Sequence, residues 1–86
     1  MIVIDKTLGY LRETLSNYTE QYSIGQQIYN KIIKYQSPSE GSFIKQLTQE
    51  EIDFLNRILP DEINYAKEEQ DEKRAHELNE VFELLY

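Results

Sequence analysis

His76 is the only histidine, and Glu72 and Glu80 lie four residues to either side of it. On a helix these three side chains share a face, so they could in principle meet at a metal ion. A helical di-metal site needs two Glu-x-x-His units with their carboxylates turned inward. Residue 73 is Lys and a second histidine is absent, so the spacing reads as a solvated His among charges. The acidic run Glu68, Glu69, Asp71 and Glu72 lacks the alternating ligands and the glycine turn of a calcium loop. It reads as a solvated helix face.

Other chemistries find as little support. Gly9, Gly25 and Gly41 are isolated, so no glycine-rich loop cradles a phosphate. There is no cysteine, which removes disulfides, thiolate catalysis and Cys-based zinc sites and fits a reducing compartment. Nothing builds the cleft or the split pKa values that paired-carboxylate hydrolysis requires. Tyr10, Tyr18, Tyr22, Tyr29 and Tyr35 could stack on bases, but only beside a basic surface. They read as packing residues whose hydroxyls stay near the surface or find partners. No catalytic, cofactor-binding or metal-binding residue is expected, and the chain reads as not an enzyme.

Charge narrows the partners. The net charge is −7, and it is uneven: residues 48–86 hold twelve Asp/Glu against four Lys/Arg, residues 1–47 four against five. That balance argues against duplex nucleic acid, whose binding rests on neutralised phosphates. Met1-Ile2-Val3-Ile4 is too short for a signal peptide, and no apolar run reaches the roughly 18 residues of a membrane span. The expectation is a soluble, intracellular protein that binds no membrane.

The elements follow from the spacing of apolar residues. Thr48-Gln49-Glu50-Glu51 has the form of a capping box, with Leu47 and Ile52 placed as a hydrophobic staple. Beyond it Ile52, Leu55, Leu59, Ile63, Ala66, Gln70, Leu78, Val81 and Leu85 fall on one drifting helical face. The pattern predicts a long C-terminal helix, about 55 Å at about 1.5 Å per residue. Pro60 either kinks it or restarts it, and the unbroken apolar phase favours a kink. Lys67 to Glu77 has almost no apolar residue but high helix propensity, so it is predicted as an exposed helical span joining two buried ends.

The N-terminal half holds two more helices. After the apolar tip Ile2 to Ile4, which receives no assigned structure, Asp5 or Thr7 can cap a helix with a stripe at Leu8, Leu11, Leu15, Tyr18 and Tyr22. A break is expected at Ser23 to Gly25, where Ser23 and Gln26 form a second capping box. Ile28, Tyr29, Ile32, Ile33 and Tyr35 spread apolar surface over a wide arc and suggest a centrally buried helix. Ser37-Pro38-Ser39-Glu40 opens a short helix through Gln46, with Phe43, Ile44 and Leu47 facing the core. The fold class is therefore all-α, one domain over residues 1–86 with residues 1–6 a loose tip. Two N-terminal helices and a short one pack on the long C-terminal helix. Its remote end, Leu78, Val81, Phe82, Leu84 and Leu85, must fold back or dock on another molecule, and it is the candidate interaction surface for a homodimer or another protein.

A family pattern runs through these residues. Thr7-Leu8-Gly9-Tyr10-Leu11-Arg12-Glu13 and Leu15-Ser16-Asn17 open it. Phe54-Leu55-Asn56, Glu62-Ile63 and Tyr65-Ala66 follow, then Glu69-Gln70-Asp71, Lys73-Arg74-Ala75, Glu77 to Val81 and Glu83-Leu84-Leu85. The chain resembles the sigma-G-dependent sporulation-specific small acid-soluble protein family of spore-forming bacilli. The resemblance covers nearly the whole chain and is weakest between Tyr18 and Leu47. It implies expression in the forespore, a place in the cytoplasm of the forespore or spore core, and no enzymatic activity, and it supplies no site residue. Two roles fit: an interaction protein working through its C-terminal helix, or an abundant structural or reserve protein of the spore core.

Overall fold

The computed structural model describes residues 6–35 and 40–85. The expected tip at Ile2 to Ile4, the cap at Asp5 or Thr7 and the box at Ser37 to Glu40 rest on positions or side chains outside that description. The order is α1 (Lys6–Leu15), a 3-10 turn (Ser16–Tyr18), α2 (Ser23–Tyr35), α3 (Glu40–Ile44), α4 (Gln49–Glu68) and α5 (Glu72–Leu84). No strand occurs among the described residues, so the all-α bundle is as expected. Helix α5 lies against α4, α1 and α3, while α2 closes on α1 and α4.

The long C-terminal helix is instead two helices. Helix α4 stops at Glu68, and Gln70 takes a left-handed conformation with φ 63°. The Asp71 N–H donates to the Ala66 carbonyl at 2.8 Å and the Gln70 N–H to that of Lys67 at 3.1 Å. These are the two bonds of a Schellman stop, built here without the usual glycine. Asp71 then caps α5, its Oδ1 accepting from the Arg74 N–H at 3.1 Å. A left-handed residue with a Cβ costs about 1–2 kcal/mol. Folding back buries Ala75, Leu78, Val81 and Leu85, at about 1.5–3 kcal/mol for each large side chain. Burial wins: most of Lys67 to Glu77 is helical, as its propensity predicts, but the helix breaks at Glu69 to Asp71 and the two parts fold back on each other instead of forming one strut.

Pro60 ends nothing: α4 runs through it as one element of 20 residues. The missing N–H and ring clash cost about 3 kcal/mol in a helix interior. Phe54, Leu55, Ile58, Leu59, Ile63 and Ala66 are buried on both sides of it and hold the helix in place.

The N-terminal break also falls elsewhere. Leu8, Leu11 and Leu15 bury the expected stripe of α1. The chain leaves the α-helix at Ser16, whose hydroxyl donates to the Glu13 carbonyl at 2.6 Å. It turns over Thr19 to Gln21 and re-enters at Ser23. Ser23 is thus already helical, and the Gln26 amide donates to Asn30 Oδ1 at 2.8 Å rather than closing a capping box. Gly25 is a packing point: a Cβ there would sit 2.7 Å from the Tyr18 carbonyl oxygen. Of the wide arc on α2, Ile28 and Ile32 are buried, Tyr29 is half-buried and Ile33 is exposed, so α2 is central on one face only. Phe43 is fully buried, with Ile44 and Leu47 packed on the same core.

Candidate functional site

The Thr48 capping box forms as the sequence predicts. The Glu51 N–H donates to Thr48 Oγ1 at 3.2 Å, and Glu51 Oε1 accepts from the Thr48 N–H at 2.8 Å. What the spacing did not reveal is where that carboxylate sits. Glu51 is fully buried. Lys31 Nζ donates to its Oε1 at 2.6 Å and Gln27 Nε2 to its Oε2 at 2.7 Å. Lys31 also donates to the Gln46 carbonyl at 3.0 Å. Burial alone would raise the Glu51 pKa, but the bonds from Lys31, Thr48 and Gln27 and the Lys31 charge outweigh it and hold the carboxyl below its usual range. The cluster ties α2 to the start of α4. Every oxygen of the carboxylate is occupied, so its role is structural.

A second polar contact joins the 3-10 turn to α4. Tyr18 Oη donates to Glu62 Oε2 at 3.0 Å. Its ring meets Phe54 edge-on with centroids 5.9 Å apart, and Tyr22 stands 5.7 Å from the same Phe54. Burial, the hydrogen bond and the nearby negative charge of Glu62 push the Tyr18 phenol up to about 12. These tyrosines pack, as expected of them, though Tyr22 stays 47% exposed.

The five C-terminal residues separate. Leu78, Val81 and Leu85 are buried in the core of the chain itself, Phe82 packs partly on it, and Leu84 is 42% exposed. Of these five, only Leu84 is exposed, and Phe82 is half-buried. His76 is exposed, and its Nε2 lies 3.1 Å from Glu80 Oε1. Among the described residues no group of three or more His, Asp or Glu is placed to hold a metal ion.

Between the 3-10 turn and the α4–α5 bend lies a shallow hollow of about 250 Å³, lined by Asn17, Glu62, Tyr65, Ala66, Glu69 and Arg74. Arg74 reaches back to Asp71 Oδ2 at 3.4 Å and across to Glu13 Oε1 at 3.6 Å. The hollow exists because the chain bends at Gln70 and returns Arg74 to the flank of α4. A continuous helix would have carried Arg74 away, which is why the sequence pattern did not disclose it.

A family model described as CsgA, minor curli fiber component A, matches residues 4–86. A Bacillus subtilis (strain 168) protein named sigma-G-dependent sporulation-specific SASP protein is 51% identical over 82 residues, covering 95% of this chain and 99% of that protein. The chain belongs to the family of that model and that relative. The sporulation-specific resemblance read from Thr7 to Leu85 is thereby established. No solved structure matches the chain. No helix among the described residues is long and apolar enough to cross a membrane.

Proposed function

We propose that the chain is a non-enzymatic protein of the developing spore that acts by association through its C-terminal helix, with a second copy or with another protein. The observation that carries the setting is the identity of 51% along 95% of the chain to a relative named as sporulation-specific. Leu84 is the residue on which the mode of action is tested: it is exposed on α5, where its neighbours Val81 and Leu85 are buried. The fibre in the family model's description is not part of this reading. The described residues are helical and offer no strand edge for lateral pairing.

The test is the size of the purified chain in solution, together with recovery of partners from sporulating cells by tagged wild type and a Leu84→Glu variant. Association that Leu84→Glu abolishes supports the proposal. A strict monomer with no retained partner overturns it in favour of an abundant structural or reserve protein.

A further inference from the structure

Residues 61–86 hold neither glycine nor proline, yet the helix is interrupted there over Glu69, Gln70 and Asp71. Among the described residues, Gln70 is the one non-glycine residue at positive φ, 63°. A Cβ in that conformation crowds the following carbonyl oxygen, so the bend is held under steric load. Apart from Asp71, residues 66–75 are all good helix formers. The local preference is one continuous helix, and the bend stands against it.

What holds the bend is the buried face of α5. Ala75, Leu78, Val81 and Leu85 lie in the core, with α5 packed against α4 and α1. Those contacts do not specify which copy of the chain supplies α5. With the bend straightened, α4 and α5 form one helix from Gln49 to Leu84, about 54 Å long at about 1.5 Å per residue, and α5 points away from its own core. Two apolar surfaces are then bare: the inner face of α5 and the groove it has left. A second opened copy carries the same two surfaces, and each α5 fits the other's groove by construction. Exchange keeps every core contact of α5, relieves Gln70 in both chains and restores helical hydrogen bonds across both bends. It costs the translational and rotational freedom of one chain. Repulsion between the Glu68, Glu69, Asp71 and Glu72 carboxylates of the two bends also opposes it, and salt screens that repulsion.

We propose that two copies of the chain exchange α5, each opening at Glu69 to Asp71 and laying Ala75, Leu78, Val81 and Leu85 in the other's core. The exchange rests on the reading of association through the C-terminal helix, names a second copy as the partner and does not use Leu84.

The full-length chain is unfolded in urea and refolded at high protein concentration in about 0.5 M salt, so that α5 can choose its partner and bend repulsion is screened. The dimer dissociation constant is then read by sedimentation over a dilution series. Gln70→Gly removes the load from the bent form and weakens the straight helix, so the constant is expected to rise about thirtyfold or more. Asp71→Ala acts in the opposite sense. Asp71 Oδ1 caps the Arg74 N–H at 3.1 Å, a bond needed only where α5 begins as a separate helix. Its loss is expected to lower the constant about tenfold or more. Leu84 lies outside the exchanged core, so Leu84→Glu is expected to leave the constant unchanged. Circular dichroism checks that all three variants keep their helix content. Monomers at every concentration in both wild type and Asp71→Ala overturn the proposal. So does a dimer indifferent to both bend substitutions. A dimer lost in Leu84→Glu and indifferent to the bend overturns exchange while leaving surface association through α5 standing.

Discussion

Lys31 Nζ lies 2.6 Å from Glu51 Oε1, and the carboxylate it meets is fully buried while the lysine remains 20% exposed. A buried charge is tolerated only when paired and hydrogen-bonded. Glu51 meets that condition with a lysine, an amide and a backbone N–H from three separate positions. Removing one partner of such a pair leaves the other charge stranded, at a cost of about 3 kcal/mol. Lys31→Met is therefore expected to lower the unfolding free energy by about that amount in urea denaturation.

The same carboxylate sets the response to acid. Its pKa is lowered in the folded chain, so its contribution is present above the ordinary carboxylate value of 4.5 and is lost as pH falls through the lowered one. Glu51→Gln is expected to be less stable near neutrality and to show a flatter decline in acid. Thermal melts between neutral pH and the acid range check this. A variant with the wild-type slope would assign the acid response to other carboxylates.

Tyr18 gives the opposite sign. Its phenol is raised from 10.0 to about 12, so its contribution is present below pH 10.0 and disappears as pH rises through about 12. Ultraviolet titration of the tyrosines should contain one late-ionising component, absent in Tyr18→Phe and moved toward ordinary values in Glu62→Gln. If Tyr18→Phe leaves the titration curve unchanged in shape, the hydrogen bond to Glu62 does not persist in solution.

Gln70 holds a conformation that glycine would adopt without a Cβ penalty. Gln70→Gly relieves about 1–2 kcal/mol of steric cost and gives up part of that in unfolded-chain entropy. A net gain of about 0.5–1 kcal/mol is expected in chemical denaturation. Gln70→Val, β-branched in the same conformation, should destabilise instead.

Gly25 and Gly9 should answer the same substitution in opposite directions. A Cβ at Gly25 would meet Tyr18 backbone oxygen at 2.7 Å and Tyr18 Cβ at 3.0 Å, whereas one at Gly9 meets nothing within 4 Å. Gly25→Ala must push α2 from the 3-10 turn and is expected to cost about 1–3 kcal/mol. Gly9→Ala adds helix propensity in α1 and should gain about 0.5–1 kcal/mol. Melting temperatures of the two variants decide it.

The amino-acid sequence by itself determined the local elements and their inward faces. Leu8, Leu11 and Leu15, then Ile28 and Ile32, then Leu55, Leu59 and Ile63 are buried where their three- and four-residue spacing put them. The box at Thr48 and Glu51 was legible for the same reason: capping acts between residues three apart. Tertiary structure alone decided the bend at Gln70. Local propensity from Lys67 to Glu77 favours helix, and no glycine or proline marks a stop, so only long-range burial of Leu78, Val81 and Leu85 repays the left-handed residue. The burial of Glu51 was decided in the same way, since Lys31 and Gln27 reach it only once α2 lies on α4. The hollow beside Tyr65 exists because Arg74 returns across the bend. Short-range periodicity fixes which face of a helix is apolar, and it carries no information on which two faces will meet.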